Sequence, residues 1–113
     1  MNHIRLLTVA LLAAASTQAA ATIYPVATTQ QLIEAIEHAN EQPDTDIITL
    51  ERGLYVLERA YQDAQRAALP RITSSIVVRG NGAELRRYAP TDFRLFDVAE
   101  DGYLRLESVV LAE

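Results

Sequence analysis

The chain of 113 residues has no cysteine and no tryptophan, and its ten basic side chains are all arginine, so lysine is missing too. Without thiols it can build neither a disulfide scaffold nor a cysteine-ligated zinc site. Aromatic residues are scarce, at 6%, although half the sequence is apolar, which leaves Ala, Leu, Ile and Val to fill any core. An excess of positive charge is also lacking. Fifteen acidic residues against ten basic ones give a net charge of −5, which excludes a dedicated nucleic-acid binder, and no nucleic-acid partner is expected. So many branched aliphatics exclude disorder throughout, and the length suits one domain or less. The largely apolar run Leu6 to Ala15 is about half of the roughly 20 residues a membrane-crossing helix requires.

That run belongs to an address. Met1 to Arg5 is a short basic start, Leu6 to Ala15 is largely apolar, and Ser16 to Ala21 is dominated by small residues. This is the order of the three regions of a secretory signal peptide. Cleavage after Ala19 or after Ala21 satisfies the small-residue rule, with Ala21 the better of the two. Residues 1–21 are therefore expected to be a signal peptide, leaving residues 22–113 as an acidic product of 113 − 21 = 92 residues. The expected destination lies across the inner membrane, in the periplasm, on the cell surface or in the medium.

Thr28-Thr-Gln-Gln31 has the spacing of a capping box, with Ala27 and Leu32 placed as a weak hydrophobic staple. Leu32, Ile33, Ile36 and Ala39 then share one helical face, away from Glu34, Glu37 and His38. Asn40 is expected to end the helix in a left-handed conformation, and Pro43 forbids its continuation. The helix is one-sided and must lie on something apolar. His38 reads as a solvated residue, because the other histidine, His3, lies in the signal segment and no metal site forms from one imidazole.

From Asp46 the hydrophobic period becomes two: Ile48 and Leu50, Tyr55 and Leu57, Ile76 and Val78, Phe96 and Val98, Leu104 and Leu106. Glycines at 53, 80, 82 and 102 break these runs into units of strand, turn and strand. Ile76 to Phe96 and Val78 to Val98 are both 20 residues apart, whereas Ile48 to Ile76 and Leu57 to Leu85 are both 28 apart. The longer interval is assigned to an inserted polar loop, Glu58 to Pro70, with room for one helical turn. A fixed period of this kind is the mark of a solenoid, whose turns stack their inward side chains. The expected columns are Ile48, Ile76 and Phe96, and beside them Leu50, Val78 and Val98. Thr49, Val77, Asp97, Arg105 and Glu107 face outward in this register. The helix at 28–40 is placed to cover the first turn, where strand edges would otherwise invite aggregation.

Taken in order, Thr28 to Asn40, Asp46-Ile-Ile-Thr-Leu50, Gly53-Leu-Tyr-Val-Leu57, Leu69 to Ile76, Arg79-Gly-Asn-Gly-Ala83 and Phe93 to Val98 resemble the N-terminal part of exported right-handed parallel β-helix proteins. That group is the pectate-lyase-like superfamily, with its polymorphic outer-membrane and adhesin-like bacterial members. The resemblance implies a mostly β fold: a right-handed parallel β-helix of two to three turns behind an N-terminal amphipathic capping helix. It implies no single activity, since one fold hosts many. Such arrays generally need three or more repeats and a closing cap. The sequence ends inside the strand-like run Ser108 to Glu113, so the expectation is either a shortened copy of a longer β-helix or an open end that pairs with another chain.

Chemistry on polysaccharides would need paired carboxylates or a carboxylate cluster for calcium, with a basic residue nearby. Asp97, Glu100 and Asp101 gather before Gly102, and Arg86-Arg87 precede them. These residues, Arg87 in particular, are the candidate ligand-binding set. Asp44 and Asp46 form a second acidic pair, read as solvated. Arg79-Gly-Asn-Gly82 lacks the spacing and the Lys-Ser/Thr of a phosphate loop and reads as a tight turn. Tyr55, Tyr88 and Tyr103 suggest a sugar-stacking surface, except that Tyr55 has inward parity. No catalytic residue, metal site or cofactor is assigned. The expected function is a non-catalytic structural or adhesive segment that contacts cell-surface or extracellular polysaccharide and associates with itself through its open end. The alternative is a partial or degraded polysaccharide lyase or hydrolase.

Overall fold

The computed structural model describes residues 21–61, 66–88 and 93–113. The expected signal segment, apart from Ala21, lies outside the described residues, as does the centre of the 58–70 loop. The described chain is mostly strand, all of it in parallel pairs, with one helix.

Strand β1 (Ile23–Val26) is followed by helix α1 (Thr29–Asn40) and then β2 (Asp46–Leu50), which pairs parallel with β1. β1 is not among the expected strands, and Pro25 lies within it. It is tolerated there because β1 is an edge strand and a proline without an N–H costs nothing on an unpaired side. The remaining strands are β3 (Leu54–Leu57), β4 (Ser75–Arg79), β5 (Glu84–Arg87), β6 (Tyr103–Glu107) and β7 (Val110–Ala112). They sort into a four-stranded sheet of order β1-β2-β4-β6 and a three-stranded sheet of order β3-β5-β7. A third line of contact, made of isolated parallel bridges, joins Ala67 to Arg94 and Ile72 to Val98.

The observed register corrects the expected one. Val78, not Ile76, lies beside Ile48, and Leu104 and Leu106, not Phe96 and Val98, continue the column beyond Ile76 and Val78. The repeat between β4 and β6 is the interval from Ile76 to Leu104, 28 residues and not 20. Phe96 and Val98 belong to the third line of contact, where Val98 pairs with Ile72. The 20-residue match equated two glycines that occupy different corners. Gly80 follows β4 and donates its N–H to Glu107 O, whereas Gly102 precedes β6 and donates to Ala99 O. Both corners are tight. A Cβ on Gly80 would stand 2.5 Å from Ser108 O, and one on Gly102 would collide with Ile72 O.

The 58–70 stretch is likewise more than an insertion. Ala67, Ala68, Leu69 and Pro70 are buried, and Ala68 N–H donates to Arg94 O. No helical turn is found among its described residues. The core gathers Ile48, Leu50, Ile76 and Val78 from one sheet, Tyr55, Leu57 and Leu85 from the other, and Leu69 and Ile72 from the third line. α1 lays Leu32, Ala35, Ile36 and Ala39 on this core, as its one-sided pattern predicts. Outside, Thr49, Arg79 and Glu107 form one cross-strand row, in which Arg79 and Arg105 both reach Glu107.

The ends of α1 show how the helix is fastened. Thr28 Oγ1 accepts the Gln31 N–H at 3.1 Å, as a capping box requires, but Gln31 Oε1 reaches back one residue further and accepts the Ala27 N–H at 2.8 Å. Asn40 is not a left-handed terminator. It is the last helical residue, and Glu41 after it is right-handed (φ −85°). Its side chain acts across the fold instead: Nδ2 donates to Arg71 O at 2.8 Å, and Oδ1 accepts from Thr73 N at 3.0 Å and from Ser74 Oγ at 3.3 Å.

Candidate functional site

The four candidate ligand-binding residues are not assembled into one site. Asp97 lies in the third line of contact, and its side chain is only 13% exposed. Its carboxylate accepts from Arg71 Nε at 2.8 Å and stands 3.9 Å from Arg94 Nη1. A carboxylate bonded to one guanidinium and close to a second ties two passes of the chain together. Glu100 and Asp101 are exposed at the turn before Gly102. Asp101 borders a shallow hollow of about 450 Å³ between the end of α1 and residues 73–75. Arg87, on β5, stacks its guanidinium 5.8 Å from the Phe93 ring centroid and pairs with Glu113.

Arg87 instead helps line a cleft of about 920 Å³. Arg66, Arg94, Phe93, Leu111 and Glu113 also line it, whereas Asp97, Glu100 and Asp101 do not. The β strands explain this placement. Arg86 and Arg87 end β5, Arg86 lies beside Ala112 of β7, and the bridge from Ala67 to Arg94 brings the third line alongside. Three arginines, the Phe93 ring and the Glu113 carboxylate line this cleft together, with Arg87 over the ring and paired to Glu113. Among the described residues no group of three or more His, Asp or Glu side chains is arranged to hold a metal ion.

The tyrosines divide as parity demands. Tyr55 is buried and donates its hydroxyl to Glu51 O at 2.6 Å, with Val26 O at 3.2 Å. Burial first, and the nearby Glu51 carboxylate second, push its phenol above the usual value, against the lowering effect of the bond to Glu51 O. Tyr88 and Tyr103 are exposed. His38 is exposed, with Glu41 4.0 Å away.

The residue misread from sequence is Asp46. Its place beside Asp44 suggests a second solvated acid, and Asp44 is exposed, but Asp46 is 1% exposed and is the buried charged residue among those described. The signal was present in the period of two, since Asp46 shares the inward parity of Ile48 and Leu50. Its Oδ1 accepts from Thr22 N at 3.3 Å, and its Oδ2 has no hydrogen-bond partner among the described residues. No protein-family model, curated protein or solved structure matches this chain.

Proposed function

We propose that the chain forms the capped first turns of a right-handed parallel β-helix, exported across the inner membrane. It serves in the periplasm, on the surface or in the medium as a structural or adhesive piece, not as a catalyst. The observation that carries the reading is the asymmetry of its two ends. Three lines of parallel contact share one apolar interior, and parallel strands joined by crossovers are almost always right-handed. At one end α1 covers the interior. At the other, β6 and β7 end their sheets with unpaired edges among the described strands, Leu104 and Leu106 are only half-buried, and Val110 and Leu111 are about half exposed. An exposed apolar edge of parallel strand is a template for more strand.

The occupant of that edge is a second copy of the chain. Sedimentation of residues 22–113 over a hundredfold range of concentration should show reversible association, and Leu111→Glu should abolish it. A strictly monomeric species throughout refutes the reading. The arginine cleft supports the second half of the role, contact with acidic polysaccharide. Calorimetric titration with a polyuronate should give binding that weakens with salt and with Arg94→Ala. The lyase alternative receives no support from geometry, because Asp97 and Arg87 are engaged with different partners and the exposed Glu100 and Asp101 do not line the cleft that holds Arg87.

A further inference from the structure

Asp46 is a buried carboxylate with half of its hydrogen-bonding capacity unused among the described residues. A buried polar atom without a partner is costly and calls for an explanation. Asp46 Oδ1 accepts from the Thr22 amide nitrogen at 3.3 Å. That nitrogen is firmly placed. Thr22 O accepts the Ile47 N–H at 2.9 Å, and Ile23 then begins β1 beside Ile47. The ladder thus grips the chain up to Thr22, while Ala21 before it is exposed and outside the strand. Thr22 is also the first residue beyond the favoured small-residue cleavage point. The other titratable groups whose fields meet here are Tyr24 on β1 and Glu41 after α1. Neither supplies a positive charge.

We propose that the Ala21–Thr22 bond is the processing site, and that the α-ammonium freed on Thr22, at the exposed start of β1, becomes the ion-pair partner of the buried Asp46 carboxylate, locking β1 onto β2. The cleavage step rests on the export reading above. Hydrolysis adds one water across the amide: its oxygen goes to the departing Ala21 carboxylate, and its two protons convert the Thr22 N–H into –NH₃⁺. One weak donor is replaced by three donors and a charge of opposite sign, set against both carboxylate oxygens. The product would then stabilise itself only once its leader is gone.

Lysine is absent from the sequence, so the α-amine is the sole primary amine of residues 22–113, and amine acylation reports on it alone. The full chain is to be produced in a bacterial host and the exported product sequenced from its N-terminus, where Thr22 is the expected first residue. A product beginning at Ala20, or an exported chain left uncut, overturns the proposal. Acetylation by an N-hydroxysuccinimide ester at pH 7 should then run about tenfold slower on the folded product than on the same product in urea, because a one-unit rise in the amine's pKa removes about nine-tenths of its reactive neutral form. In Asp46→Asn the folded and unfolded rates should converge. Once acetylated, the parent should melt about 4 °C lower or more, and Asp46→Asn should not. Equal folded and unfolded rates in the parent refute the ion pair, and that ratio stands even where Asp46→Asn fails to fold. Failure of export is a separate result: it removes the processing step and the export reading together. The ion pair is then decided by the same rate ratio on residues 22–113 released in vitro with Thr22 first.

Discussion

Asn40 offers the sharpest test of how α1 is fastened to the sheets. Its side chain makes three hydrogen bonds to residues 71, 73 and 74, more than thirty positions away, on the segment that leads into β4. Two of those bonds are to backbone groups, an acceptor at Arg71 and a donor at Thr73. Asn40→Ala deletes all three. Each net bond contributes about 0.5–1.5 kcal/mol, with the upper part of that range kept for groups that water cannot reach. Asn40 is half-buried, so water replaces part of what is lost. Alanine's better helix propensity returns about 0.5 kcal/mol. The net destabilisation is about 2 kcal/mol, which for a domain of this size corresponds to a fall in Tm of about 8–16 °C. Thermal unfolding followed by circular dichroism measures it, with Glu41→Ala, an exposed neighbour, expected to stay within about 0.5 kcal/mol of the parent. If Asn40→Ala melts with the parent, the side chain does not fasten the helix. The role assigned to it here is then wrong.

Ile76, fully buried between Asp46 of β2 and Leu104 of β6, should cost about 2–5 kcal/mol as alanine in chemical denaturation; Phe96→Ala, in the column the sequence pattern favoured, should cost less because Phe96 is only partly buried. Gly102→Ala forces a methyl against the Ile72 carbonyl and should lose about 1–3 kcal/mol or fail to fold, whereas at Gly53 a Cβ meets open space and alanine costs only the strain of its φ of +157°. The raised phenol of Tyr55 sets the sign of an alkaline effect. Its neutral form is favoured in the folded state, so its contribution is fully present below about pH 10 and is lost as pH rises through the folded value. Tyrosinate absorbance near 295 nm should show Tyr55 titrating late in the folded protein together with Tyr24 and Tyr61, and Tyr55→Phe should remove its share of that late phase and lessen the fall in stability above pH 10.

The candidate site was less legible than the fold. Asp97, Glu100, Asp101 and Arg87 look like neighbours in sequence, but Asp97 turns to Arg71 and Arg94 while Arg87 turns to Phe93 and Glu113. Which arginine a carboxylate meets depends on which passes of the chain lie side by side, and a register error of eight residues changes every such pairing. Asp46 is the opposite case. Its inward parity was readable, but its being an acid made a solvated reading the default, and only the position of Thr22 beside it shows a partner.

Local rules determined the elements. The Thr28 cap and the one-sided apolar face set α1, and alternation of period two set strands at 46–50, 54–57, 75–79 and 103–107. They could not determine which alternating segment lies beside which. Phe96 with Val98 and Leu104 with Leu106 satisfy the same pattern, so the choice falls to the whole structure. It is made at the corners, where Gly80 fits under Ser108 and Gly102 under Ile72 with no room for a side chain. Strand identity is written in nearest-neighbour chemistry, whereas register is a long-range property of how the turns close and the interior fills.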